Sequence, residues 1–135
     1  MRTLETHVVE GNTSSDLKIE VDERMGPGGA AHHYEITGFD TQNNTFSISL
    51  AGFASHFTRL PVIFQDGPVP EKGCNGITIE ALLAICIDRL EGFQSGDYPC
   101  EENAKAIEGM EMALESLKSR TRARIARNVE GKMVR

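Results

Sequence analysis

From Asn75 onward the sequence carries two successive apolar stripes at helical spacing, separated only by Asp97-Tyr98-Pro99. In the first, Ile79, Leu82, Leu83, Cys86, Ile87 and Leu90 repeat at intervals of three and four, which puts them along one side of a helix. In the second, Ile107, Met110, Leu114, Leu117 and Thr121 form a heptad-like stripe. Pro99 disfavours helix at Tyr98, so the first helix is expected to end near residues 93–96 and the second to begin near Cys100. Thr78 is the expected cap of the first, although Ala81 stands where a capping box would place an acid. Glu101 and Glu102 suit the positive end of the second helix, and Gly131 is placed to end it after about Asn128. Two long helices joined by a tight turn make an αα-hairpin. The apolar face of each must be covered by the other helix, by a sheet or by another subunit.

The first half reads differently. Leu17 to Asp22 alternates strictly between apolar and charged residues, the period of a half-buried strand. MGPGGAA (25–31) favours a turn, His33 to Thr37 resumes as a strand, and residues 40–44 are turn-like. Phe46 to Leu50 alternates again, and Leu60 to Gln65 is a short apolar strand. Short strands with short turns predict an antiparallel sheet. The expected fold is therefore α+β: one domain over 1–135, with an antiparallel β part at 1–73 and a helical hairpin at 74–131, oligomerising through its helices.

Composition narrows the function. The chain has 135 residues with 39% hydrophobic and 25% charged, ordinary for a globular protein. No apolar run approaches a bilayer span, and MRTLETHVVEGN has no apolar signal core, so a cytoplasmic protein is expected. Cys74, Cys86 and Cys100 are widely spaced with no CxxC, which predicts free or buried thiols and neither a disulfide frame nor a zinc site. Adjacent His32 and His33 would face opposite ways in a strand, so no metal is expected there. No GxSxG and no nearby Cys–His pair marks a nucleophile, and GPGGAA lacks the GK[ST] ending of a P-loop. Neither an enzyme nor a cofactor is expected.

Charge is unevenly placed. Residues 116–135 hold seven Lys or Arg against one acid, whereas the preceding 115 hold seven against nineteen acids. A compact cationic end on an acidic chain fits a phosphate ligand, a nucleic acid or an acidic partner surface, with a solvated basic helix end as the plain alternative. On a helix, Arg120, Arg124 and Arg127 share a face and Arg122 points away. Leu117 and Thr121 lead directly to Arg124, which places that arginine on the packing side, where its planar fork suits phosphate. The turn offers Phe93, a stacking surface for a base, and Asn103, an amide able to read an adenine edge; the plain alternative is a ring that closes the hairpin and a first-turn polar residue. Asn103 and Arg120 lie 17 residues apart, about 25 Å along one helix. A small ligand touching both needs a second chain running antiparallel, and an isologous homodimer supplies two such pockets. In the first half, backbone N–H groups of the Gly28-Gly29 loop beside Arg24 form a further candidate anion cradle, with a tight turn as the plain alternative.

The segment GPVPEKGCNGITIEALLAICIDRLEGFQSGDYPCEENAKAIEGMEMALESLKSRTRARIARNVEG (67–131) resembles the first-described Thoeris anti-defence protein family of bacteriophages. The likeness lies in NG-x-T-x-EALL, RLEGFQ-x-G, C-x-EN-A and RT-x-R-x-ARxVEG, over about half the chain; DERMGPGGAAHHYEI (22–36) also looks like the family's sheet region. The resemblance implies a sponge that binds cyclic ADP-ribose isomers made by TIR-domain immune enzymes, without cleaving them, in the cytoplasm of an infected bacterial host. It implies an ADP-ribose pocket built from Phe93, Asn103, Arg120 and Arg124, with Phe93 stacked on adenine and the arginines on the pyrophosphate. It also implies a separate site for cyclic trinucleotides from cGAS-like enzymes, at Arg24, Gly28 and Gly29, and, in some members, a hexamer built as a trimer of dimers. The family usually has Pro-Phe where this chain has Asp97 and Tyr98, Arg where it has Glu101, and often Gly where it has Asn128. Acids at 97 and 101 stand close to the implied diphosphate pocket. Outside the family, the competing expectation is a small nucleic-acid-binding or regulatory protein that uses the arginine cluster.

Overall fold

A computed structural model describes residues 1–12, 16–47 and 56–127. The chain divides into two compact units, Met1–Phe64 and Gln65–Arg135.

The first unit is a four-stranded antiparallel sheet in sequence order: β1 (Arg2–Leu4), β2 (Lys18–Val21), β3 (His33–Thr37) and β4 (Leu60–Ile63). The predicted strands at 17–22, 33–37 and 60–65 are present, each within two residues of its expected bounds, and β1 was not anticipated from the sequence. Register explains the alternation. Leu4, Ile19, Ile36 and Leu60 stand opposite one another across the sheet, as do Val21, Tyr34 and Val62, so one face is apolar. Val21 is fully buried there, and Tyr34 packs edge-to-face on Phe64 at 5.8 Å. The other face carries Glu20 opposite Glu35. Residues 45–47 are helical, so the strand expected over Phe46–Leu50 is wrong at its start; Asn44 Oδ1 accepts from the Phe46 N–H and closes an Asx turn that competes with extension. The rest of that segment lies outside the described residues.

The second unit opens with a short helix, α1 (Val69–Lys72), followed by α2 (Ile79–Ser95) and α3 (Glu101–Ala126). The capping expectation holds: Thr78 Oγ1 accepts from the Ala81 N–H at 3.1 Å. At the head of α3 the cap is Cys100, whose Sγ accepts from the Asn103 N–H at 3.4 Å. On α3 the residues less than fully exposed are Asn103, Ile107, Met110, Leu114, Leu117, Thr121 and Arg124, an unbroken seven-residue repeat against α2. Ile87, from α2, is the one buried side chain described in this unit.

Candidate functional site

The turn between α2 and α3 is held by one side chain. The Gln94 amide donates to the Cys100 carbonyl at 3.1 Å and accepts from the Cys100 N–H at 2.9 Å. This two-point clasp fixes the turn between Phe93, at the end of α2, and Asn103, in the first turn of α3. Phe93 is 39% exposed, and the Arg89 guanidinium lies over its ring at 5.1 Å from the centroid. The i, i+4 spacing of Arg89 and Phe93 on one helix makes that contact local. Sequence reasoning missed both Gln94 and Arg89. The only available signal was the helical spacing of Arg89 and Phe93 within RLEGFQ.

The arginines separate only in part as their helical phase predicts, since Arg120, expected on the packing side with Arg124, is exposed. Arg124 is half-buried on the α2-facing stripe, with its Nε enclosed. Arg120 is exposed beside it, and no acid among the described residues pairs with it. Arg122 points away and pairs with Glu115 at 2.9 Å, which holds the Glu115 carboxyl below its usual range and raises the guanidinium. Phe93 and Asn103 stand at the turn, and Arg120 and Arg124 at the far end of α3. The hairpin of one chain therefore does not bring the four together, in keeping with their ~25 Å separation along the helix.

In the sheet unit, Arg24 is 86% exposed and is engaged by Asp22 through its Nε and Nη2. The Arg24 hydrogen bonds hold the Asp22 carboxyl far below the usual carboxylate range. His33 stands between Asp22 Oδ2, at 3.5 Å, and Glu35 Oε1, at 3.8 Å, and Arg59 caps Glu35. Gly28 and Gly29 have φ of 80° and 78°, so the loop needs glycine at both positions. The Gly29 N–H is spent inside the loop on the Gly26 carbonyl. Arg24 and this glycine pair thus lie within a few residues of each other, with the arginine already neutralised by a neighbour.

Among the described residues no cluster of His, Cys, Asp and Glu is placed to hold a metal. No described helix is long and apolar enough to cross a membrane. The three cysteines are free and exposed.

Comparison with known proteins finds a likeness in the helical half. Residues 60–122 match the Acb2/Tad1 hairpin domain, the same stretch that forms β4 and most of the helical unit. In that stretch the chain is similar to the Thoeris anti-defence proteins. It is 43% identical over 88 residues to Thoeris anti-defense 1 of Bacillus phage SBSphiJ7, a match covering 65% of this chain and 61% of that relative. The chain thus spans about three-fifths of the curated relative's length. Phe93, Asn103 and Arg120 all fall within the matched hairpin domain, and Arg124 lies just beyond its end.

Proposed function

We propose that this chain is a phage anti-defence sponge that sequesters cyclic ADP-ribose-type immune signals without degrading them, in the cytoplasm of the infected bacterium. The observation that carries the reading is the exposed ring of Phe93 at the clasped turn of a family hairpin whose far end presents Arg120 and Arg124. Phe93 stacks the adenine, Asn103 addresses its edge, and the two arginines grip the pyrophosphate through bidentate contacts. Because turn and arginines lie ~25 Å apart, each pocket takes its arginines from a second chain, so the working unit is a homodimer. A hexamer made of three such dimers repeats the pocket. Arg24 with the Gly28-Gly29 loop serves as a second site, for cyclic trinucleotides, in which phosphate competes with Asp22 for the guanidinium. Capture by mass action needs no catalytic group.

Calorimetry with cyclic ADP-ribose isomers, followed by heat denaturation and mass spectrometry of the released ligand, tests this. Tight uptake and recovery of intact ligand are expected. Linear product would mean an enzyme. Tight duplex-DNA binding with a steep salt slope and no nucleotide uptake would make the arginine end a nucleic-acid surface instead.

A further inference from the structure

We infer that His33 is a positioning residue for the second site: as the imidazolium, it takes over the Asp22 carboxylate when Arg24 turns to a phosphodiester. This rests on the reading of Arg24 and the Gly28-Gly29 loop given above and adds what becomes of the acid that phosphate displaces.

The two partners of the Arg24–Asp22 pair are placed unequally. The Arg24 side chain is 86% exposed and free to turn toward a ligand, whereas that of Asp22 is only 16% exposed. Asp22 Oδ1 accepts from the Arg24 backbone N–H at 3.1 Å and from Nε at 3.0 Å, and Oδ2 accepts from Nη2 at 2.5 Å. A phosphate that captures the guanidinium strips the carboxylate of its side-chain donors. It leaves a largely covered charge, which is costly unless another cation takes it.

His33 is in place to take it. Asp22 and His33 stand opposite each other at the end of the β2–β3 ladder, where the Asp22 N–H donates to the His33 carbonyl at 3.0 Å. His33 Nδ1 lies 3.5 Å from Asp22 Oδ2 and Nε2 lies 3.8 Å from Glu35 Oε1, so both ring nitrogens face a carboxylate. A small ring movement brings Nδ1 within hydrogen-bond reach. A neutral imidazole has one N–H and serves one of the two acids; the imidazolium serves both. Glu20 lies opposite Glu35 on β2, Arg59 caps Glu35, and Ile63, opposite His33 on β4, adds no charge. Once Arg24 turns away, three acids therefore face Arg59, and a positive ring restores the balance. The adjacent His32 is engaged elsewhere, its Nδ1 2.8 Å from the Ala30 carbonyl.

The dependence on pH has a definite sign. Hydrogen bonds from Arg24, with a smaller contribution from His33, hold the Asp22 carboxyl far below the usual range, and Arg59 above all holds Glu35 below its own. Both acids stay ionised near neutral pH, where histidine is the side chain that changes charge. The imidazolium forms as pH falls, so uptake at Arg24 strengthens toward acid.

Calorimetry of the full chain with cyclic triadenylate at constant ionic strength tests this, because the phosphodiesters of that probe keep their charge over the same range. The uptake that Arg24→Ala removes is the quantity followed. In the wild type it is expected to strengthen about three- to fivefold from about pH 8 to about pH 6. His33→Gln is expected to stay at or below the wild-type level of the alkaline end throughout. His33→Lys, with a fixed charge at that position, is expected to hold the level of the acid end throughout, and His32→Gln to keep the slope. Circular dichroism reports folding of each variant, and the charged variant and the wild-type profile decide the matter if His33→Gln does not fold. A flat wild-type profile, or a slope that His33→Gln retains, overturns the role of His33 and leaves the second site standing. Absence of any uptake that depends on Arg24 sinks both.

Discussion

Arg89 lies over the ring of Phe93, its guanidinium carbon 5.1 Å from the centroid, and so covers one face of an aromatic side chain that is 39% exposed. If Phe93 stacks adenine, Phe93→Ala removes a contact worth about 1–3 kcal/mol, which weakens nucleotide uptake between several-fold and about a hundredfold. Arg89→Ala removes an exposed cation–π contact of about 0.5–1 kcal/mol, for a loss of only two- to fivefold. Isothermal calorimetry on the two variants reads this order, and an equal or larger loss in Arg89→Ala would assign the arginine a direct ligand contact.

Arg120 and Arg122 make a second, internally controlled comparison. They sit on the same helix, two residues apart, but Arg122 is committed to Glu115 and Arg120 is not. Arg120→Ala is expected to abolish ADP-ribose uptake while light scattering shows the oligomer intact. Arg122→Ala removes a fully exposed pair, which is expected to leave both stability and uptake essentially unchanged. Similar losses in both variants would mean that the cationic end acts through net charge alone.

The two caps of the hairpin differ in quality. Thr78→Ala removes a hydroxyl acceptor and is expected to destabilise the helical unit by about 1 kcal/mol. At Cys100 a sulfur acceptor does this work at 3.4 Å, and a hydroxyl accepts hydrogen bonds more strongly. Cys100→Ser is therefore expected to raise the melting temperature slightly. Thermal scans by circular dichroism at 222 nm read both signs.

The sheet unit has an acid-sensitive element. Arg24 holds Asp22, and Arg59 holds Glu35, below their ordinary values of 3.8 and 4.5. A carboxylate depressed in the folded state contributes stability above its unfolded pKa and loses it as pH falls through the folded value. Stability from these pairs is thus fully present at pH 6 and drains away below about pH 4.5. Asp22→Asn with Glu35→Gln is expected to flatten that acid limb in denaturant titrations at stepped pH; an unchanged slope would place the acid sensitivity elsewhere.

Helical phase and breaker residues sufficed for the hairpin. Thr78, Pro99 and the stripe from Ile107 to Thr121 mark its boundaries and inner face because a helix is a local structure whose capping and periodicity are written within one or two turns. The same phase separated Arg124, drawn to the inner face, from Arg122. Strands were legible where alternation was strict, as at Lys18–Val21. Alternation misled at Phe46, because the Asn44 side chain closes a turn that a period-2 pattern does not register.

What the sequence determined by itself was therefore the local order: an antiparallel sheet followed by a capped helical hairpin, with Phe93 and Asn103 at one end and the arginines at the other. Tertiary structure decided what depends on distant partners. It paired β1 with β2 and brought Arg59 to Glu35, while local contacts that periodicity does not register clasped the turn through Gln94 and Cys100, set Arg89 on Phe93 and joined Arg24 to Asp22. The physical reason is that periodicity fixes which way a side chain points, whereas its partner, and with it its charge and freedom, is set by whatever the fold brings within a few ångströms.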